Sequence, residues 1–208
     1  MSELSGRVRG VVNTPTPAGA SGRWSVRAVN KYVGAGVWPA LAVTNFESIA
    51  TVTVGAGGAA NIEFTSIPGT YQHLQVRFMI VASSTSAIAY RVQFNGDTAS
   101  NYYTHRLRGN GASVSAEGAG RSDLPVGEST GSTSNARVCV LDILDYANTS
   151  KNTVIRTLYG VDNNGSGIVG IYSGLWSDTS AITSMKFTNS NASNFAEHTT
   201  AALYGIKA

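Results

Sequence analysis

From Ser48 onward the apolar residues of this chain recur at every second position, and that period decides the class of fold. Leu74, Val76, Phe78 and Ile80 share one face of an extended segment, with His73, Gln75, Arg77 and Met79 on the other. Ile88, Tyr90, Val92 and Phe94 repeat the pattern, with Ala89, Arg91 and Gln93 facing out, and Asn95-Gly96-Asp97 then turns the chain. Tyr103, His105 and Leu107 alternate with Thr104, Arg106 and Arg108 up to a Gly109-Asn110-Gly111 turn. Residues 137–144 are more continuously apolar, which predicts a central strand covered on both faces. Val154, Arg156 and Leu158 alternate with Ile155, Thr157 and Tyr159, and 162–167 makes a tight connection into a strand at 168–176. Strands over 182–188 and 200–207 complete the pattern. Short strands joined by Gly, Asn and Ser turns, with no helical period between them, predict an all-β fold. The expected architecture is an antiparallel jelly-roll-like β-sandwich over residues 48–208. Residues 109–135, rich in Gly and Ser with weak alternation, predict a long loop between sheets.

Charged residues are only 13% of the 208 positions, against about 25% in an average soluble protein. Gly, Ser, Thr, Asn and Ala take their place, giving a surface that relies little on charge repulsion and suits a chain covered by neighbours. The net charge of +3 comes from scattered Lys and Arg, and Arg7 and Arg9 are too few for a nucleic-acid arm, so no nucleic-acid partner is expected. Cys139 is the single cysteine, which excludes an internal disulfide and a Cys-based metal site; its apolar setting predicts a small buried side chain. Residues 1–5 are not of signal-peptide type and no segment approaches the ~20 apolar residues of a membrane span, so the expectation is synthesis in a cytoplasm without membrane insertion.

Residues 1–47 read as a separate docking segment. Gly6, Gly10, Pro15, Pro17 and Gly19 predict an extended arm over 1–20. A helix is predicted over 21–34, capped by Ser21, with Trp24, Ala28 and Tyr32 on one face, and stopped by Gly34 and Gly36 before Trp38-Pro39. So short a helix must pack on something, either the sandwich of its own chain or another subunit. Trp24, Tyr32, Trp38 and Pro39 are the candidate docking residues, because large aromatics outside a core need a partner surface.

Candidate chemistry is sparse. The three histidines, His73, His105 and His198, accompany no Gly-x-Ser-x-Gly elbow and no Cys/His signature. Asp142 and Asp145 fall on opposite faces of a strand, which suits a strand-end cap or a pairing with Arg better than a glycosidase pair. The run 162–167 is oxygen-rich, yet it lacks the spacing and downstream Glu of an EF-hand, and a turn shaped by Asn and Gly accounts for it. No phosphate loop, zinc spacing or dinucleotide fingerprint is present, so no catalytic residue, cofactor or metal is expected. Tyr102, His105 and Trp176 are candidate glycan contacts, with core packing as the competing account of the aromatics.

The segments Gly22-Arg23-Trp24-Ser25-Val26-Arg27 and Gly34-Ala35-Gly36-Val37-Trp38-Pro39 resemble a short Gly-x-Trp-Ser, helix, Gly-x-Trp-Pro element of tailed-bacteriophage virion proteins. Phe64-Thr65-Ser66-Ile67-Pro68, Leu141-Asp142-Ile143-Leu144-Asp145-Tyr146, Ser173-Gly174-Leu175-Trp176 and Ala202-Leu203-Tyr204-Gly205-Ile206-Lys207 resemble a β-sandwich module of phage structural proteins. The resemblance covers roughly residues 21 to 207. It implies a non-enzymatic virion protein that docks through its arm, most often a tail-fibre or tail-associated component. Capsid decoration and a carbohydrate-binding receptor module are the alternatives. It further implies a homotrimer, with tail or major capsid proteins and a host-surface glycan as partners.

Overall fold

The computed structural model describes residues 7–8, 11–12, 15–16, 20, 24–38, 45–84, 87–130 and 135–207. The chain divides into two compact units, Met1–Thr44 and Asn45–Ala208. In the first, β1 (Arg7–Val8) and β2 (Val11–Val12) form a two-rung antiparallel ladder within the stretch where composition predicts an extended arm. The unit's helix, α1, spans Val26–Gly34.

The second unit is an antiparallel β-sandwich of unequal layers. Its strands are β3 (Phe46–Thr53), β4 (Ile62–Phe64), β5 (His73–Ile80), β6 (Ala87–Phe94), β7 (Tyr102–Gly109) and β8 (Val114–Arg121). They continue with β9 (Leu124–Thr130), β10 (Arg137–Leu144), β11 (Thr153–Asp162), β12 (Gly167–Trp176), β13 (Met185–Asn189) and β14 (Thr200–Ile206). One layer has eight strands in the order β3-β14-β5-β10-β11-β12-β7-β8; the other has four, β4-β13-β6-β9. Successive strands alternate between the layers except at three steps, β7–β8, β10–β11 and β11–β12, which stay within the larger sheet; β7–β8 and β11–β12 are hairpins inserted into it. Those hairpins pair with each other through β12 and β7 and extend the larger sheet beyond its partner.

The period-two faces of β5 and β6 build the core. Leu74, Val76, Phe78 and Ile80 from one layer meet Ile88, Tyr90, Val92 and Phe94 from the other, all buried. Phe187 of β13 stands edge-on to both Phe64 and Phe78, filling the gap between layers with aromatic contacts. The turns are set by residues that tolerate positive φ. Asn95 and Gly96 (φ 53° and 69°) close one, and Asn164 and Gly165 (φ 60° and 89°) close the β11–β12 hairpin. In that second turn the Asp162 carboxylate accepts the Gly165 amide at 3.0 Å, an Asx-type contact that accounts for the run at 162–167.

Three strand expectations need correction. Within 109–135 the described residues are not one long loop: they hold β8 and β9, the first paired to β7 over eight rungs. Alternation is weak there because β8 is an edge strand whose Gly118 and Gly120 lie opposite His105 and Tyr103, leaving room for those rings. Residues 137–144 form a central strand, but only one face is covered; Val138 and Leu144 are exposed on the other. Ile182 is buried through its own packing and the bond from its amide to Tyr146 O, while the strand begins at Met185.

Candidate functional site

Two features stand apart from a self-contained sandwich: the aromatic group around α1 and the outer face of the eight-stranded sheet. Helix α1 begins at Ser25, whose hydroxyl accepts the Ala28 amide at 3.2 Å. Ser25 therefore does the capping assigned above to Ser21, which lies outside the described residues, and Trp24 sits just ahead of the helix. The other end is a Schellman motif: Val37 N bonds Tyr32 O, Gly36 N bonds Val33 O, and Gly36 takes φ 68°. This turn folds Trp38 back over the helix, so Trp24 stands edge-on to Tyr32 at 5.6 Å and to Trp38 at 5.2 Å. Three of the four candidate docking residues thus form one cluster; Pro39 lies outside the described residues. No residue of α1 is buried, and Trp24, Tyr32 and Trp38 are each half-buried.

The outer face of the large sheet is apolar where a solvated face would be polar. Val140, Leu158, Ile171 and Leu107 lie side by side across β10, β11, β12 and β7. Beside them run Val138, Gly160, Val169 and Gly109, and the two glycines leave a trough of ≈ 450 Å³ at that end. Leu107, Val138, Leu158, Val169 and Ile171 are 46–60% exposed. A polar stripe crosses this face: Asp142 pairs with Arg156 at 3.1 Å and accepts from Gln75 Nε2 at 2.8 Å, followed by Ser173 and His105. Beyond it Leu144, Val154, Leu175 and Tyr103 form another apolar row. The alternation within β11 and β12 gave no sign of this, because apolar residues occur on both of their faces.

The glycan reading of Tyr102 and Trp176 does not survive their placement. Tyr102 is 0% and Trp176 1% exposed, stacked on each other at 6.3 Å and against Phe94, so neither ring offers a face to a ligand. They are pinned by polar contacts instead: the Trp176 indole donates to Asp97 Oδ2 at 2.7 Å, and Tyr102 OH donates to Asp97 O and accepts from Phe94 N. Burial pushes the Asp97 carboxyl up, but the bonds from Trp176, Ala99 and Asn101 outweigh it and hold the group below its ordinary value. His105 does lie on the outer face, over Gly118, with Tyr103 as its aromatic neighbour on that strand.

Asp145 and Glu128 are committed to partners within the fold. Asp145 follows β10 at φ 50° and accepts from Gln72 and Lys151, while its amide lies 3.0 Å from His73 Nδ1. Glu128 of β9, between the layers, accepts from Arg106, Arg108 and Tyr172 OH. Burial raises its carboxyl, yet those three donors outweigh it and keep it ionised below the usual range. Burial lifts Cys139 to about 12, and its Sγ donates to Val126 O at 2.9 Å. Among the described residues no group of His, Cys, Asp and Glu is arranged to hold a metal, and no helix is long and apolar enough to cross a membrane. No family model, no curated protein and no solved structure matches this chain.

Proposed function

We propose that this chain is a non-enzymatic structural component of a bacteriophage particle, attached through its N-terminal segment and presenting the sandwich to its neighbours. The observation that carries the proposal is the Trp24–Tyr32–Trp38 cluster around a helix with no buried residue, each ring only half-buried. Aromatic side chains desolvated in a partner's pocket are the usual anchors of an interface, worth about 2 kcal/mol or more each on truncation. The strand order supports the same reading. With the two inserted hairpins set aside, the orders β3-β14-β5-β10 and β4-β13-β6-β9 follow the winding of a jelly roll, changing layer at every step but β6 to β9, and the jelly roll is an architecture of capsid domains. A surface that is only sparsely charged also suits a chain enclosed by others.

A map of the intact particle tests this, with the chain located on the head lattice or on the tail. Substituting Trp24→Ala and Trp38→Ala together should remove the chain from purified particles while leaving the sandwich folded. Absence of the unaltered chain from particles would overturn the proposal.

A further inference from the structure

We propose that a second copy of this chain covers the outer face of the eight-stranded sheet, in a face-to-face pair whose twofold axis runs along the strands between β10 and β11. The proposal does not depend on the virion reading, since the face belongs to the sandwich and is present in the free protein. Three observations select a copy of the chain over any other occupant.

The first is area. The half-exposed apolar side chains of this face amount to on the order of 1,000 Å², whereas a standard interface takes ~800 Å² from each partner. The second is position. The axis between β10 and β11 has four strands on either side, β3-β14-β5-β10 and β11-β12-β7-β8, so rotation lays one half of the sheet over the other. Two sheets stacked this way pack ~10 Å apart with strands nearly aligned.

The third is charge. The polar stripe carries one carboxylate and one guanidinium at its centre, Asp142 on β10 and Arg156 on β11, directly opposite in register. Rotation about the strand direction keeps each residue at its level and exchanges β10 with β11. Asp142 of each copy then lies over Arg156 of the other, which suits the 74% exposed Arg156 side chain reaching above the sheet. The same operation sets Val140 over Leu158, Leu144 over Val154 and Met79 over Val169, apolar on apolar near the axis, while further out the Arg77 stem crosses Ile171 and the His73 ring crosses Leu175. A partner with a surface of one sign would meet one of the two charges with repulsion; the chain itself meets both with attraction.

The oligomeric state of the full chain, by sedimentation velocity from about 1 to 100 μM, is the test. The expected species has twice the 21.7 kDa chain mass, and Leu158→Glu, outward-facing and therefore compatible with folding, should weaken the pair at least tenfold. Charge exchange removes any ambiguity from misfolding. Asp142→Arg leaves two cations on the stripe and Arg156→Asp two carboxylates, so each variant alone should pair poorly. Mixed, they should form a hetero-pair of wild-type affinity, although the Asp142–Arg156 contact is broken within both chains. A monomer at 100 μM, or an assembly indifferent to Leu158→Glu, overturns the proposal. Failure of the two charge variants to pair on mixing overturns it as well.

Discussion

Arg108 of β7 donates to Glu128 Oε2 of β9 at 2.6 Å, tying an inserted hairpin of one layer to the edge strand of the other. Arg106 and Tyr172 converge on the second oxygen of the same carboxylate, so a single acid holds β7, β9 and β12 together. Removing its charge leaves Arg106, largely buried, with only the more exposed Glu117 carboxylate at 3.2 Å as counter-ion. Glu128→Gln should destabilise the chain by about 3 kcal/mol in urea unfolding.

The same carboxylate sets an acid limit. Its folded value is depressed, so its contribution to stability is fully present above the ordinary value of 4.5 and is lost as pH falls through the lower folded value. Asp97 is depressed as well, from 3.8, and acts in the same direction. Unfolding free energy should therefore fall below about pH 4.5, and Glu128→Gln should flatten the upper part of that limb.

Gly170 of β12 lies beneath the Tyr159 ring, and a Cβ there would stand 2.5 Å from the phenol oxygen and 2.6 Å from Cζ. The ring is buried and stacked on Tyr172 at 5.3 Å, so it has nowhere to move. Gly170→Ala should cost about 1–3 kcal/mol by overpacking, measured by thermal unfolding. The control is Gly55→Ala, where the added carbon meets nothing within 4 Å and φ is not left-handed.

Gly36 carries the turn that brings Trp38 onto Trp24, and its φ of 68° is strained for any residue with a Cβ. Gly36→Ala should weaken the helix end by about 1 kcal/mol and loosen the ring cluster. Near-ultraviolet circular dichroism of the full chain should show a reduced tryptophan signal, with the unfolding midpoint of the sandwich unchanged.

Cys139 is buried and its thiol pushed up to about 12, so the thiolate is scarce at pH 8. Disulfide reagents should leave it untouched in the native protein and modify it stoichiometrically in denaturant. Rapid native labelling would show that β10 opens.

The residues explain which parts of this architecture are legible without coordinates. In β5 and β6 only one alternating set is apolar, so period and inward face follow at once. At Tyr102-Tyr103 both candidates are aromatic; the choice of Tyr102 as the inner ring rests on Asp97 and Trp176, neighbours that only the fold assembles. The strand β8 escapes because Gly118 and Gly120 are small for the sake of His105 and Tyr103 across the ladder, a constraint between strands that no window along the chain contains. The apolar outer face is hidden for the opposite reason, since β10 to β12 are apolar on both sides and a period of two cannot say which side is inner. The helix boundary moves because both Ser21 and Ser25 are competent caps by type, and the hydrogen bond to Ala28 selects the second.

The strand β14 lies between β3 and β5, pairing residues 200–206 with 46–53 on one side and 73–79 on the other. The first strand of the sandwich therefore has no neighbour until the last one has been synthesised. As the chain leaves the ribosome, β3 and β5 emerge with open edges that remain unsealed through more than a hundred further residues. Closure is a late, long-range event, and loop-closure entropy makes it slow relative to the hairpins β7–β8 and β11–β12, which have their partners close at hand. A chain released before residue 200 keeps both edges open, and its fate is set by the race between edge-to-edge association and quality control.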